Sequence, residues 1–168
     1  MLQMDEICIR PVEEEDLDTL YNWNTQEIRG DYQECQFESR KKIQQDFEED
    51  GFSSERFQML MVEKEDQPIG LIYLNFYREG LIMLGLVLTP NNCRQGIGTK
   101  VFAFITEYLF ENYPIVRIEA DTDIRNKGAQ SILERAGFQQ EGLLRKYRYH
   151  HGSYHDSYLY SKIKSELF

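Results

Sequence analysis

Cysteine is scarce in this 168-residue chain, with only Cys8, Cys35 and Cys93 and no CxxC pair. Three scattered thiols neither frame a disulfide scaffold nor supply a cysteine-rich zinc site, and they suit a reducing, cytoplasmic setting. Long apolar runs are also lacking: none nears the roughly 20 residues that span a bilayer, so no membrane association is expected. The N-terminal stretch MLQMDEICIR has no basic flank followed by an apolar segment, so no secretory signal is expected either. Positive charge is short, with 19 Lys/Arg against 29 Asp/Glu and a net charge of −10. Nucleic-acid binding rests on neutralising phosphates, and this balance argues against it. Proline (4 residues) and low-complexity segments are too sparse for a disordered or collagen-like chain.

What is present is the composition of one folded domain over residues 1–168, 41% hydrophobic and 13% aromatic. The charge is uneven. Residues 1–66 hold 19 acidic and 7 basic side chains, whereas 67–168 hold 10 and 12. The acidic clusters Glu13 to Asp18 and Asp46 to Asp50 could steer a cationic partner, or simply keep helix faces solvated.

Hydrophobic periodicity predicts a strand at 7–12 and a helix over 13–23, whose acidic first turn suits the helix dipole. A second helix fits 39–50, with Ser39 as N-cap and Gly51 as stop. Runs at 57–65 and 69–77 around Asp66-Gln67-Pro68 read as a hairpin, and 81–88 as an almost wholly apolar strand. A loop at 91–98 then opens an amphipathic helix with Val101, Phe102, Ile105 and Leu109 on one face. A strand at 116–122, a helix at 126–136 and two closing strands at 138–149 and 154–163 complete an α+β chain. Its sheet should be mostly antiparallel.

The loop NNCRQGIGTK (91–100) lies between an apolar strand and a helix. Gly96 and Gly98 free the backbone to turn N–H groups inward at a helix N-terminus, which makes an anion cradle suited to a pyrophosphate. A P-loop would need GxxxxGK[ST], and no glycine stands five before Gly98. A dinucleotide fingerprint would need a third glycine where Val101 stands. Coenzyme A is the third ligand such a cradle could take, and a plain turn between strand and helix is the alternative.

A second segment, Asn126-Lys127-Gly128-Ala129 leading to Gly137-Phe138, follows a strand and opens a helix. Strand, GxG loop, helix, strand, Asn-started helix and Gly-Phe over residues 57–163 resemble the GNAT superfamily of N-acetyltransferases. With Gly142, Arg145, Gly152, Tyr154, Asp156 and Tyr160-Ser161, the tail looks most like the branch acting on ribosomal-protein N-termini or spermidine. The resemblance implies a GNAT-like fold of 6–7 mixed, mostly antiparallel strands and about 4 helices, with acetyl-CoA as cosubstrate and no metal. It implies that backbone groups of Leu86, Val87 and Leu88 hold pantetheine and the thioester. Arg94, Gln95, Gly96, Ile97, Gly98 and Thr99 would wrap the pyrophosphate, and Asn126 would bond the pantetheine arm or cap its helix. Cys93 departs from the Gln or Arg usual at its position, which should weaken binding without abolishing it. The resemblance is compatible with a homodimer formed by strand exchange or edge pairing.

Acetyl transfer needs a neutral amine. At pH 7 a lysine-like amine is neutral about once in 2,500 molecules and an α-amine roughly once in seven, so a base matters more for the former. Glu119 and Asp121 share one face of their strand by period two. Asp121, five residues before Asn126, matches the base position of a related branch; Glu119 is second. The tyrosine that many GNAT enzymes place four residues before the helix-ending glycine is Leu133 here. Ser131, Tyr147 and Tyr149 are alternative acids. No nucleophile–base constellation is recognisable, so direct attack in a ternary complex is expected. His150, His151 and His155 beside Asp156 read as a solvated turn rather than a metal site. The run Tyr147, Tyr149, Tyr154, Tyr158, Tyr160 is sheet packing or part of an acceptor groove. The expected function is acetyl transfer to a primary amine of a peptide N-terminus or a polyamine. Aminoglycoside acetylation and a non-catalytic acyl-CoA-binding module are the alternatives.

Overall fold

Alternating burial along Ile7–Pro11 places Ile7 and Ile9 in the core and leaves Cys8 and Arg10 on the other face, the period-two pattern of a strand. The computed structural model describes residues 1–33 and 37–164, so the expectation that Cys35 forms no disulfide lies outside the described residues. Cys8 and Cys93 are free thiols. The strands are β1 (Leu2–Met4), β2 (Ile7–Pro11), β3 (Phe57–Lys64), β4 (Gln67–Arg78), β5 (Gly80–Leu88), β6 (Ile115–Asp123), β7 (Gln139–His150) and β8 (Ser153–Ile163). The helices are α1 (Leu17–Trp23), α2 (Gln26–Arg29), α3 (Arg40–Asp50), α4 (Ile97–Asn112) and α5 (Lys127–Arg135).

The strands form one sheet in the order β1-β2-β3-β4-β5-β6-β8-β7. Every neighbouring pair is antiparallel except β5 and β6. The fold is the expected α+β mixed sheet, but among the described residues it has eight strands and five α-helices rather than 6–7 and about 4. The additions are β1 and α2, at three and four residues too short to show a period. A 3₁₀ turn at Glu14–Asp16 replaces the start of the first predicted helix.

Turn chemistry fixes the hairpins. Glu65 and Asp66 both have positive φ (51° and 60°), and Lys64 pairs with Gln67, the two-residue loop whose twist matches its strands. The turn therefore precedes Pro68 instead of containing it. Pro68 sits where the β3–β4 register shifts, a place that tolerates a missing ladder donor.

One face of the sheet packs on α4 and α5 through Ile72, Leu74, Ile82, Leu84, Ile118 and Ala120, with Val101, Ile105, Leu109 and Leu133 above them. Over β2–β4 the other face is covered by Leu17 and Leu20 of α1 and Ile43 of α3 against Met61 and Leu71. The same face of β6, β8 and β7 carries polar and charged groups instead. No helix among the described residues is long and apolar enough to cross a membrane.

Candidate active site between two diverging strands

The parallel pair is joined only at its start. The ladder runs from Gly80 with Ile115 to Met83 with Glu119 and stops there. Beyond it, β5 continues on its other edge against β4 as far as Leu88, and β6 continues against β8 as far as Asp123. Leu84–Leu88 and Ala120–Asp123 thus face each other across a gap with their inner edges unpaired, at the carboxyl ends of parallel strands where ligands of α/β sheets bind. Leu86, Val87 and Leu88 lie on one lip of this gap and Asp121 on the other.

Both helices that follow these strands begin at the gap. α4 starts at Gly96, which holds φ 77°, and no side chain caps it. The first-turn N–H groups of a helix have no intrahelical partner, so Ile97, Gly98 and Thr99 present donors to an anion. Arg94, at φ 61°, takes a second left-handed step in the loop. Gln95 is tied back by its Nε2 donating to the carbonyl of Asn91 at 2.7 Å. A Cβ on Gly98 would lie 2.7 Å from Ile132 Cδ1, so glycine there lets α4 pack closely on α5. The sulfur of Cys93 lies 3.5 Å from the carbonyl oxygen of Thr89. Asn126 caps α5, its Oδ1 accepting from the Ala129 N–H at 3.0 Å.

Three carboxylates project from one face of β6, each held by arginine. Glu119 accepts from Arg117 Nε at 2.6 Å. The same guanidinium binds Glu141, whose pKa falls to about 2 through that bond and one from Ser161. Asp121 Oδ2 accepts two bonds from Arg148, at 2.6 and 2.8 Å. Asp123 is fully buried. Burial alone would raise its pKa, but bonds from the Arg125 side chain, the Arg125 backbone N–H and His150 outweigh it and the carboxyl stays ionised. His150 is 4% exposed and places Nε2 2.8 Å from Asp123 Oδ2. The solvated-turn reading therefore fails for His150, which the β7 strand carries inward to a buried acid.

The rings of His150 and His155 stack nearly parallel, 4.1 Å apart. Asp123, His150 and His155 bring their polar atoms within 4.8 Å of one another. Parallel rings aim their in-plane lone pairs side by side rather than at one point, and Arg125 adds a positive charge. The geometry suits a hydrogen-bonded cluster better than a cation.

A cavity of about 440 Å³ opens beside this row, lined by Arg29, Tyr32, Gln33, Glu38, Tyr147, Arg148 and Tyr149. Two members of the tyrosine run line it, whereas Tyr160 is wholly buried in the core and Tyr154 is exposed. Burial raises the Tyr147 phenol, and the charge of Asp121 raises it further. Tyr147 is thus the one of the three alternative acids set beside the candidate base. Leu133 is buried in the core and supplies no hydroxyl.

Arg29, Tyr32, Gln33 and Glu38 carry no motif. Their only sequence signal is the long aperiodic stretch between two helices, where binding residues concentrate. A few of the acidic groups of the two clusters are ion-paired: Asp16 with Arg10, Asp18 with Arg40 and Asp46 with Lys42.

A sheet split at its one parallel pair, with an uncapped glycine-started helix at the split and a polar cavity beside it, is an arrangement that can hold a phosphate-bearing cosubstrate against an acceptor. The family described as the acetyltransferase (GNAT) domain matches residues 6–139. The chain belongs to this family, and acetyl-CoA is its cosubstrate. The uncharacterized N-acetyltransferase p20 of Bacillus licheniformis is 28% identical over 98% of this chain and 97% of its own. The uncharacterized N-acetyltransferase YoaA of Bacillus subtilis is 32% identical over 48% of this chain, a match spanning 46% of that protein. Among solved structures, spermidine N-acetyltransferase from Vibrio cholerae in complex with CoA and spermine superposes with a TM-score of 0.86 at 19% identity, covering 96% of this chain and 97% of that one. RimL, a ribosomal L7/L12 alpha-N-protein acetyltransferase in complex with coenzyme A, superposes with a TM-score of 0.82 at 16% identity, covering 95% of each chain. At these identities the likeness to the two structures is one of fold.

Proposed function

We propose that this protein acetylates a primary amine, of a peptide N-terminus or a small amine, by direct attack in a ternary complex. The observation that carries the reading is the gap between β5 and β6 with the uncapped N-terminus of α4 at its mouth. The unpaired edge of Leu86–Leu88 would bond the pantetheine amides. The N–H groups of Ile97, Gly98 and Thr99, with Arg94 and Gln95 in the same loop, would bind the pyrophosphate. Asn126 would reach the pantetheine arm with the amide nitrogen its capping role leaves over. Bound acetyl-CoA supplies an activated thioester. The chain's residues position it and manage one proton on each side.

Asp121 is the proposed base, with Glu119 second. The guanidinium of Arg148 fixes Asp121 in direction, and Asp121 would be asked to take the amine's proton through a water. That demand is lighter for an α-amine than for a lysine-like amine. Tyr147, its phenol still protonated at neutral pH, would donate to the departing thiolate. The test is Asp121→Asn: kcat should fall at neutral pH while acetyl-CoA affinity holds. An unchanged pH–rate profile would move the role to Glu119 or solvent.

Burial of Leu133, where many relatives place the acid, favours a second reading as a non-catalytic acyl-CoA-binding module. Turnover of any amine disposes of it.

A further inference from the structure

The cavity beside Asp121 holds an unmatched pair of charges. Arg29, at the end of α2, and Glu38, just before α3, both line it. Among the described residues neither takes part in an ion pair, with each other or elsewhere. Glu38 accepts one bond, from Asn24 Nδ2 at 2.9 Å, and the Arg29 guanidinium has no hydrogen-bond partner among the described residues. Both act on one neighbour: burial raises the Tyr73 phenol, Arg29 lowers it and Glu38 raises it. The second guanidinium of the cavity, Arg148, is already neutralised by Asp121.

A polyamine with three positive charges would meet one free carboxylate and one free guanidinium here. An uncharged amine would leave the guanidinium unanswered. Arginine presents a planar fork of donors that matches carboxylate or phosphate, and a fork left open to a cavity fits an acid group. We infer that the acceptor is an amine carrying an anionic group, a carboxylate or phosphate, a few bonds from its nitrogen. Arg29 binds the anion, and Glu38 answers the ammonium with which such a molecule arrives at neutral pH. A volume of about 440 Å³ suits a small molecule or the first residues of a peptide. The inference rests on the proposed acetyltransferase reading and names the substrate class of that same site.

The experiment is a thiol-release assay with acetyl-CoA and matched acceptors: α-amino acids against their amides, phosphoethanolamine against ethanolamine, and spermidine. The acids should exceed their amides by about tenfold or more in kcat/KM, mostly through KM, as loss of a charge-assisted hydrogen bond would give. The phosphoethanolamine arm separates phosphate from carboxylate. Arg29→Gln should shrink the acid-to-amide ratio to less than about threefold, and Arg29→Lys should restore part of it. Amides or spermidine turned over as well as the acids, or a ratio that Arg29→Gln leaves intact, would overturn the inference while the acetyltransferase reading stands. Acetyl-CoA binding with no turnover of any amine would overturn both.

Discussion

Asp121 and Glu119 are each clamped by an arginine, and this sets what a carboxylate on β6 can do. A carboxylate held in one direction by a guanidinium suits proton relay through a water. Asp121→Asn is expected to lower kcat by about 100-fold, at the low end of general-base effects, with the acetyl-CoA dissociation constant unchanged. Stopped-time assays together with calorimetry check this. Tyr147→Phe is expected to cost about tenfold in kcat, less at high pH, where the departing thiolate needs no proton, and less with a weakly basic leaving group; a thioester series of graded thiol pKa reads it. Period two alone put Glu119 and Asp121 on one face. The same period places Arg117 beside Glu119, but it could not show Arg148 of β7 reaching Asp121, because β8 lies between β6 and β7 and that strand order is a property of the whole sheet.

At the scale of elements, the glycine loop and its helix are the part most legible in the chain. Gly96 holds a left-handed conformation, and α4 begins at Ile97, two residues inside the expected loop of 91–98. A Cβ at a left-handed position costs roughly 1–2 kcal/mol. Gly96→Ala is therefore expected to weaken acetyl-CoA binding by about tenfold, with a small drop in melting temperature, measurable by calorimetry and thermal unfolding. The stretch from Asn24 to Glu38 is the least legible. α2 is a single turn, too short for a hydrophobic period, and its cavity-facing residues are chosen by what lies across from them on β7 rather than by neighbours in sequence. His150 was misplaced for the same reason. Beside Gly152 it reads as turn, but the turn is only His151-Gly152, and His150 is the last residue of β7, facing Asp123.

Across the whole molecule, acidic side chains outnumber basic ones, yet several are bound in place. Asp16, Asp123 and Glu141 all titrate lower in the folded chain than in the unfolded one. A depressed carboxyl contributes stability that is complete above its unfolded pKa and is lost as pH falls through the folded value. For Glu141 that window runs from the ordinary 4.5 down to about 2. Urea midpoints should hold steady above about pH 5 and fall steeply below it, and Glu141→Gln should flatten the acid limb. A midpoint that climbs on acidification would contradict this. Isothermal titration of the protein with acetyl-CoA, with ATP and NADH as controls, tests most directly whether the gap between β5 and β6 is a coenzyme A site. Selective acetyl-CoA binding, at roughly micromolar strength in keeping with common substrate affinities, is the predicted result. No binding, or equal weak binding of all three, would contradict it.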